Sequence, residues 1–452
     1  MKPILASLLI LTNLVFCALT GCSRKFGLDP EKPVTLTLWH NYGGIMRATM
    51  DELLDTFNST VGKEKGILIN CTSINSSAVL QEKLLMAAEG DPGAPNLPDI
   101  TTCYPKVAIT LAEKGLLVDL SEYFSKNELA KYVTSFVNEG RVDGRLYVFP
   151  IAKSTEVLFV NQTLFDHFSE ATGASMEDLE TFEGIAEAAI AYYQWTDAHT
   201  PDVPNDGKAF FAIDSIFNLM QVGMEQLGSC FTEGQQAVTT GDTYDHIYQT
   251  LFETAVKGGY AVYDGYSSDL SKTGDIICSI GSTAGILFYG DTITYPDNVT
   301  ETVEYSVLPY PVFRGGKPIA IQRGGGMAVT CSDETKEYAA AVFLKWFTQA
   351  EQNMKFISET GYLPVTNSAF GTVMESEAES VDNDNIRKLL KVAIFMHKEY
   401  GFYVPPVFDT FDSLGREFED SFKSEARAAR NEYASLLKTS DSYEAYRQIK
   451  NK

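Results

Sequence analysis

The stretch VTLTLWH, residues 34–40, alternates apolar and polar side chains in the manner of a β-strand. Apolar residues then recur at helical spacing from Met46 to Phe57, so they fall on one face of a helix. Residues 67–71 and 98–103 predict two further strands, and a helical pattern follows each of them. Strands that alternate with helices predict an α/β fold, in which a mostly parallel sheet is flanked by helices. Ligands of such sheets bind beyond the carboxyl ends of the strands.

The composition is that of a folded, acidic protein. The chain has 452 residues, of which 44% are hydrophobic, and it carries 36 Lys and Arg against 60 Asp and Glu, for a formal charge of −24. At about 150 residues per domain, this length predicts two or three domains. The acidic excess argues against a nucleic-acid partner, because such binding requires a basic surface. The acidic stretch 375–385 predicts a solvated loop.

The N-terminus has the pattern of an exported lipoprotein. Lys2 precedes an apolar run over residues 4–18, which is shorter than the roughly 20 residues of a membrane span. The following Leu19-Thr20-Gly21-Cys22 resembles a bacterial lipobox. We expect residues 1–21 to be a signal peptide, Cys22 to carry lipid, and residues 22–33 to be a tether to the membrane outside the cytoplasm. An ordinary signal peptide with an incidental cysteine is the alternative.

Seven cysteines divide unequally between these segments. Cys17 lies in the predicted signal peptide and Cys22 in the lipobox, so five remain and at least one is unpaired within the chain. None belongs to a CxxC pair, and no histidine stands at metal-ligand spacing from them. We expect buried free thiols and no metal site, while disulfide pairing stays open among Cys71, Cys103, Cys230, Cys278 and Cys331.

Six features along the chain resemble extracellular solute-binding protein family 1, the maltose- and glycerol-phosphate-binding type of bacterial ABC importers. Each feature is weak alone, but together they follow the family's order over most of the mature chain. They are the lipobox, Trp39-His40, Pro98-Asp99-Ile100, the crossover Tyr147 to Asn161, the helix Tyr338 to Phe347, and Gly361-Tyr362-Leu363-Pro364.

The resemblance implies two α/β lobes of the periplasmic-binding-protein fold, with a ligand cleft between them. It also implies that a small solute, most simply a carbohydrate, is captured by hinge closure and delivered to a membrane permease by a monomer. The expected boundaries are lobe one at 34–150 and 318–368, lobe two at 160–308 and 370–452, and hinge crossings near 149–160, 308–321 and 366–372.

Candidate solute-binding residues of lobe one follow its predicted strands. An indole ring such as Trp39 can stack on a sugar ring, although core packing would also explain it. Hydroxyl and N–H groups at a helix start can face a ligand, although a simple N-cap is the alternative for the serines. The resemblance places Tyr104 in the cleft. The lobe-one candidates are Trp39, His40, Tyr42, Ser76, Ser77 and Tyr104.

The resemblance assigns further candidates to the crossover, to a strand-to-helix contact of lobe two and to the GYLP segment. The Gly-rich turn adds two more, although a plain turn would also explain it. Small hydroxyls suit sugar binding, and glycine permits close approach of the backbone to a ligand. Lys106 and Lys153 leave a phosphate-bearing ligand open. The candidates are Ser154, Thr155, Glu156, Ser282, Thr283, Gly325, Gly326 and Tyr362.

The chain carries no HExxH, GxSxG, Walker or GxGxxG motif. We therefore expect a binding protein without a cofactor. Two alternatives remain open at this point. One is a secreted hydrolase acting on glycans, because 60 carboxylates always allow an unrecognised acid pair. The other is the ligand-binding component of a surface sensor, which the sequence does not separate from an importer component.

Overall fold

The computed structural model describes residues 26–74 and 76–450, so the predicted signal peptide and Cys22 lie outside it. Its strands are β1 Val34–His40, β2 Ile67–Ser73, β3 Ile100–Cys103, β4 Arg141–Val142, β5 Arg145–Leu146, β6 Phe149–Pro150, β7 Glu156–Asn161, β8 Phe211–Ile213, β9 Thr232–Glu233, β10 Gln236–Ala237, β11 Cys278–Ser282, β12 Thr292–Thr294, β13 Thr300–Thr302, β14 Tyr305–Leu308, β15 Ile319–Ile321, β16 Gly326–Val329 and β17 Gly401–Tyr403. Its α-helices are α1 Gly44–Ser59, α2 Val61–Lys65, α3 Ser77–Glu89, α4 Pro105–Glu113, α5 Lys126–Leu129, α6 Thr134–Glu139, α7 Gln162–Thr172, α8 Phe182–Asp197, α9 Ile216–Gln226, α10 Asp242–Val256, α11 Ser267–Lys272, α12 Glu334–Phe347, α13 Ala350–Thr360, α14 Met374–Ser380, α15 Asp384–Glu399, α16 Phe411–Leu436 and α17 Ser442–Lys450. None of the helices in these residues has both the length and the apolar character that a bilayer span needs.

The chain folds into two compact units, and each unit is assembled from separate stretches of sequence. Unit one comprises residues 26–151, Gly325–Phe356 and Val365–Asn367. Unit two comprises Ala152–Gly324, Ile357–Pro364 and residues 368–450.

These units depart from the predicted lobes in two places. Residues 318–324 were expected in lobe one or its hinge, but β15 pairs in parallel with β17 and so belongs to unit two. Residues 357–364 also join unit two, because Leu363 and Lys153 exchange two backbone hydrogen bonds of 3.0 and 2.5 Å. Both departures come from pairings between residues far apart in sequence, which local patterns do not reveal.

Unit one is built on a five-stranded sheet in the order β2-β1-β3-β16-β6. β1 runs parallel to β2 and β3, whereas β16 runs antiparallel to β3 and β6. The inward residues Leu36 and Leu38 of β1 are fully buried, as the alternating pattern predicts. The parallel strands therefore bring the carboxyl ends of β1, β2 and β3 to one edge of the sheet.

Unit two contains a four-stranded sheet in the order β14-β7-β11-β8. Only β8 and β11 are parallel, and β7 runs antiparallel to both of its neighbours. The predicted α/β class is confirmed, but the sheets are mixed rather than mostly parallel. Antiparallel neighbours need no helical crossover, so β6, β7 and β16 can join their sheets directly from extended segments.

The segment before β1 is packed against unit one, at least from Phe26 onward. The ring of Phe26 stacks on Tyr338 at a centroid distance of 4.1 Å. The Asp29 carbonyl oxygen lies 2.3 Å from where a Cβ on Gly66 would stand. The part of the predicted tether from Phe26 to Pro30 is therefore held against unit one by an aromatic contact and by close backbone packing.

The acidic stretch after residue 374 is helical rather than a loop. Helix α14 covers Met374–Ser380, and both Met374 and Ala378 are buried. Met374 and Ala378 are four positions apart, so they lie on the same face of the helix and hold it against the core, while the glutamates face the surface. The high charge of this stretch concealed the helical period.

The five cysteines of the described residues form no disulfide. Cys103 and Cys278 are buried and Cys71 is partly buried, as we expected of structural thiols. Cys230 and Cys331 are exposed, so the expectation of burial is wrong for these two.

Candidate functional site

The carboxyl ends of β1 and β3 lie side by side in unit one. The two strands pair in parallel with Trp39 opposite Thr101, so Trp39 and Tyr104 stand at the same edge. Both residues are partly exposed. Trp39 also packs against a core cluster that includes Leu84 and Leu111. Packing therefore fixes the position of the indole, while part of it remains accessible to a solute.

Ser76 and Ser77 lie at the start of helix α3, which follows β2. The Ser76 hydroxyl accepts a long hydrogen bond of 3.4 Å from the backbone N–H of Val79, so Ser76 is the N-cap. Both serines are partly exposed. The N-cap alternative is confirmed for Ser76, and the weak cap leaves its hydroxyl able to contact a solute as well.

His40 and Tyr42 are buried inside unit one. The Tyr42 ring packs against Phe356 at 5.3 Å, and the Tyr42 backbone N–H donates to Nδ1 of His40 at 3.1 Å. Burial lowers the pKa of His40 to about 4, although Asp51 opposes this effect. Since His40 exposes no surface and Tyr42 very little, we no longer assign either side chain a solute contact.

The Gly-rich turn before β16 is required by strand packing. Gly324 has a φ of +89°, which favours glycine. A Cβ on Gly325 would lie 2.9 Å from the Cys103 carbonyl oxygen, and one on Gly326 would lie 2.3 Å from that of Phe149. The close approach at Gly325 and Gly326 is thus made by the backbones of β3 and β6, which lie against β16. Gly325 is still partly exposed, whereas Gly326 is buried.

The crossover hydroxyls Ser154 and Thr155 are also buried. The backbone of Ser154 exchanges hydrogen bonds of 2.9 and 2.8 Å with Arg323, and the Thr155 hydroxyl donates to the Ile321 carbonyl at 2.7 Å. These bonds join β15 and the following turn to the crossover, so both residues have a structural role, and their solute contact stays a prediction.

Glu156 is a buried carboxylate at the first position of β7. Its Oε1 accepts hydrogen bonds from Asn218 at 2.8 Å and from the Arg323 guanidinium at 2.9 Å. Its Oε2 is buried and has no hydrogen-bond partner among the described residues. Burial raises the pKa of Glu156, while Arg323 and Asn218 act against the increase. Oε2 is therefore an acceptor that protein groups leave unused.

Asp214 and Ser282 stand beside Glu156 at one edge of the unit-two sheet. Ser282 pairs with Glu156 across β11 and β7, and Asp214 directly follows β8. The Asp214 carboxylate accepts hydrogen bonds of 2.9 and 2.7 Å from the backbone and hydroxyl of Ser267. Tyr266, which precedes Ser267 in the chain, has 73% of its surface exposed. This edge therefore offers carboxylate, hydroxyl and aromatic groups together.

Thr283 and Tyr362 occupy neighbouring stretches of unit two. Thr283 is buried, its backbone N–H donates to the Thr155 carbonyl at 2.9 Å, and its hydroxyl has no hydrogen-bond partner among the described residues, so its solute contact stays a prediction. Tyr362 is partly exposed and follows Gly361, whose φ is +75°. A Cβ on Gly361 would lie 2.7 Å from the Thr283 carbonyl oxygen, so glycine is needed for this close approach.

The family model of the bacterial extracellular solute-binding proteins matches residues 52–381. The chain belongs to this family. The predicted resemblance is thereby confirmed. The sn-glycerol-3-phosphate-binding periplasmic protein UgpB of Brucella melitensis is 21% identical over 374 residues, which cover 80% of this chain and 81% of that protein.

Solved structures show the same two-lobed fold as this solute-binding protein. The cyclic α-maltosyl-1,6-maltose binding protein of Arthrobacter globiformis matches with a TM-score of 0.69 and 18% identity, covering 88% of this chain and 94% of that one. UgpB of Mycobacterium tuberculosis, solved with glycerophosphocholine, matches with a TM-score of 0.67 and 18% identity, covering 92% and 97%.

Sequence reasoning missed several polar residues of this solute-binding protein. Asp214 could have been found, because it follows a short apolar strand and precedes a helix capped by Ser215. Asn218 and Arg323 could not, because only the tertiary fold brings them to Glu156. The edge of unit two is therefore more strongly charged than the sequence candidates indicated.

Proposed function

We propose that this protein captures a small carbohydrate outside the cytoplasm and delivers it to the permease of an ABC importer. The observation that carries the carbohydrate assignment is the partly exposed Trp39 at the strand-end edge of unit one. The face of an indole ring stacks on the apolar face of a sugar, and hydroxyl groups beside it can bind the sugar hydroxyls. Tyr104, Ser76 and Ser77 supply such groups at the same edge.

The proposed contacts in unit two are Ser282, Tyr362 and Oε2 of Glu156, with the backbone of Gly325 contributing from unit one. An unused carboxylate oxygen accepts a hydrogen bond from a sugar hydroxyl, and such a charge-assisted bond is strong. A solute held by residues of both units favours the state in which both sets contact it, which is the basis of hinge closure.

The charges in unit two favour a neutral sugar over a sugar phosphate. Arg323 donates to Glu156, and the buried Lys153 donates from Nζ to the Gly324 carbonyl at 2.5 Å. A phosphate at this edge would face Asp214 and Glu156, and like charges at close range repel. The relatives named above include binders of both classes, so the choice rests on these side chains.

A thermal-shift screen tests the proposal, because a ligand that binds only the native state raises the melting temperature. Neutral mono- and oligosaccharides, polyols and sugar phosphates form the library. We expect a neutral saccharide to raise the melting temperature and Trp39→Ala to weaken its affinity about tenfold or more. The matched control is Tyr443→Ala, which removes an exposed aromatic ring elsewhere. A shift given only by phosphorylated ligands, or by none, contradicts the carbohydrate assignment.

Members of this family bind solutes rather than transform them, and we propose the same for this chain. Incubation with the saccharide found in the screen should return it unchanged. Release of a hydrolysis product would instead support a glycan-acting enzyme.

We further propose that the mature protein is a monomer anchored through lipid at Cys22. Palmitate labelling and sedimentation of the detergent-solubilised protein test these two statements. Protein that takes up no palmitate would contradict the proposed lipid anchor. A dimer that persists at every protein concentration would contradict the proposed monomer.

A further inference from the structure

Three side chains with metal-ligand chemistry meet in unit one, and none of them is among the proposed solute contacts. His40 ends β1, Asp51 lies on α1, and Cys71 belongs to β2. One ligand atom from each lies within 4.8 Å of the other two. The pairing of β1 with β2 places Leu38 opposite Cys71, which explains why His40 and Cys71 are neighbours in space although far apart in sequence.

The burial of the three groups differs in a way that suits an ion entering from solvent. His40 is fully buried, and its Nε2 has no hydrogen-bond partner among the described residues. Buried polar atoms of this kind nearly always have a partner, so the unpartnered Nε2 of a histidine that belongs to this cluster needs an explanation. Cys71 is partly buried, and the Asp51 side chain is 47% exposed. The carboxylate therefore stands at the open side of the cluster.

We propose that His40, Asp51 and Cys71 bind one Zn²⁺ ion, with water at the fourth position. Zinc accepts nitrogen, oxygen and sulfur ligands together and prefers four-coordinate tetrahedral geometry. Calcium and magnesium prefer oxygen ligands only, so the thiol and imidazole select against them. This inference is independent of the solute assignment.

Binding changes the protonation of two ligands. The Cys71 thiol releases its proton to solvent as the sulfur–zinc bond forms. In the metal-free chain Nδ1 of His40 accepts the Tyr42 N–H, so the proton of the neutral ring resides on Nε2. Coordination through Nε2 moves this proton to Nδ1 and breaks the Tyr42 hydrogen bond. A Cβ on either of the next two residues, Gly43 and Gly44, would meet no other atom within 4 Å, and glycine permits the backbone change that a turn of the Tyr42 peptide requires.

Arg47 is the main charge that opposes the ion. Its Nε lies 3.4 Å from the Asp51 carboxylate, and both side chains are about half exposed. An exposed pair of this kind is weak, so zinc can displace it. Removing Arg47 should therefore strengthen zinc binding, whereas loss of Asp51 should weaken it.

The test uses the mature full-length chain, freed of metal, in competition with a chromophoric zinc chelator. We expect one equivalent of zinc to bind and to raise the melting temperature. Asp51→Asn should weaken affinity about tenfold or more, because it removes a charged ligand. Arg47→Ala should strengthen it about two- to fivefold. Asp51 is about half exposed on a helix, so we expect its variant to fold, and Asp55→Asn one turn later on α1 is the matched control.

Cobalt provides a direct readout of the thiolate. Substituting Co²⁺ should give a sulfur-to-metal charge-transfer band that disappears in Cys71→Ser and persists in Cys230→Ser and Cys331→Ser, which remove the exposed thiols. The proposal is overturned if no stoichiometric zinc binds, if Asp51→Asn and Asp55→Asn bind equally well, or if the cobalt band depends on Cys230 or Cys331.

Discussion

At the scale of single residues, the electrostatics of unit two depend on one buried carboxylate and one guanidinium. Glu156 is 1% exposed, whereas the Arg323 side chain that pairs with it at 2.9 Å is 38% exposed. A buried ion pair adds little net stability, but removing one partner leaves the other charge buried and uncompensated. The effect of a substitution here should therefore depend strongly on which partner is lost.

Arg323→Ala should lower the free energy of unfolding by about 2 kcal/mol at neutral pH, below the usual cost for a fully buried pair because Arg323 is partly hydrated. Burial already raises the pKa of Glu156 above its ordinary value of 4.5, and loss of Arg323 raises it further. In this variant the ionised form of Glu156 destabilises the folded state. The free energy of unfolding is therefore retained below the ordinary pKa of 4.5 and falls as the pH rises through the raised pKa. Urea denaturation at about pH 4 and about pH 8 measures the difference.

The double variant Glu156→Gln/Arg323→Ala is the control for this prediction. It has no ionisable group at the position, so its stability relative to the parent chain should lack the extra loss at high pH. If Arg323→Ala loses the same stability at both pH values, Glu156 is not the group responsible.

Residues at strand ends were predictable, and the exposure of their side chains was not. Trp39 lies near the end of β1, Ser76 and Tyr104 come after β2 and β3, and all three are partly exposed. The pattern of these three strands is evident in the sequence. His40 immediately follows Trp39 but points to the other side of the strand, where Asp51 and Cys71 surround it. Its partners come from two other elements, so no local spacing could indicate them.

At the scale of secondary-structure elements, a four-residue helix shows how a small element is held in place. Helix α5 begins with a capping box, in which Ser125 and Glu128 bond each other's backbone N–H groups. The Glu128 carboxylate also accepts a hydrogen bond of 2.6 Å from Lys345 on α12. Burial opposes ionisation, but these hydrogen bonds outweigh it and lower the pKa of Glu128 to about 2.

Glu128→Ala should lower the free energy of unfolding by about 1 kcal/mol at neutral pH, the usual value for a lost helix cap. Because the pKa of Glu128 is lowered, its contribution is present above the ordinary pKa of 4.5 and disappears as the pH falls towards 2. The stability difference between the variant and the parent chain should therefore shrink in acid. Glu122→Ala, at an exposed site in unit one, should show no comparable change; an equal effect there would contradict the capping argument.

Pairings between distant strands mark the limit of prediction for whole elements. The pattern of β1, β2 and β3 predicted three parallel strands, and the structure contains them. The short strands β6, β15 and β16 have two to four residues each, so they carry no periodicity of their own. Their partners decide which unit they join, and this explains why the boundary after residue 318 was misplaced.

At the scale of the whole molecule, charge and anchoring have to be considered together. Removing the predicted signal peptide deletes one basic residue, which leaves 35 basic against 60 acidic side chains and a formal charge of −25. An anionic membrane surface repels a chain of this charge, because electrostatic attachment requires clustered Lys and Arg. Within the described residues no helix could cross a bilayer either. We propose that lipid at Cys22 supplies the membrane attachment.

Cys22→Ser should move the protein from the membrane fraction to the soluble fraction of its native host and abolish palmitate labelling. The physical reason is that acyl chains contribute about 0.8 kcal/mol per buried CH₂ group, so their loss weakens binding to the membrane. Cys17→Ser is the matched control, since Cys17 lies in the predicted signal peptide and should leave both readouts unchanged. A Cys22→Ser protein that still sediments with membranes after a high-salt wash would require a different anchor.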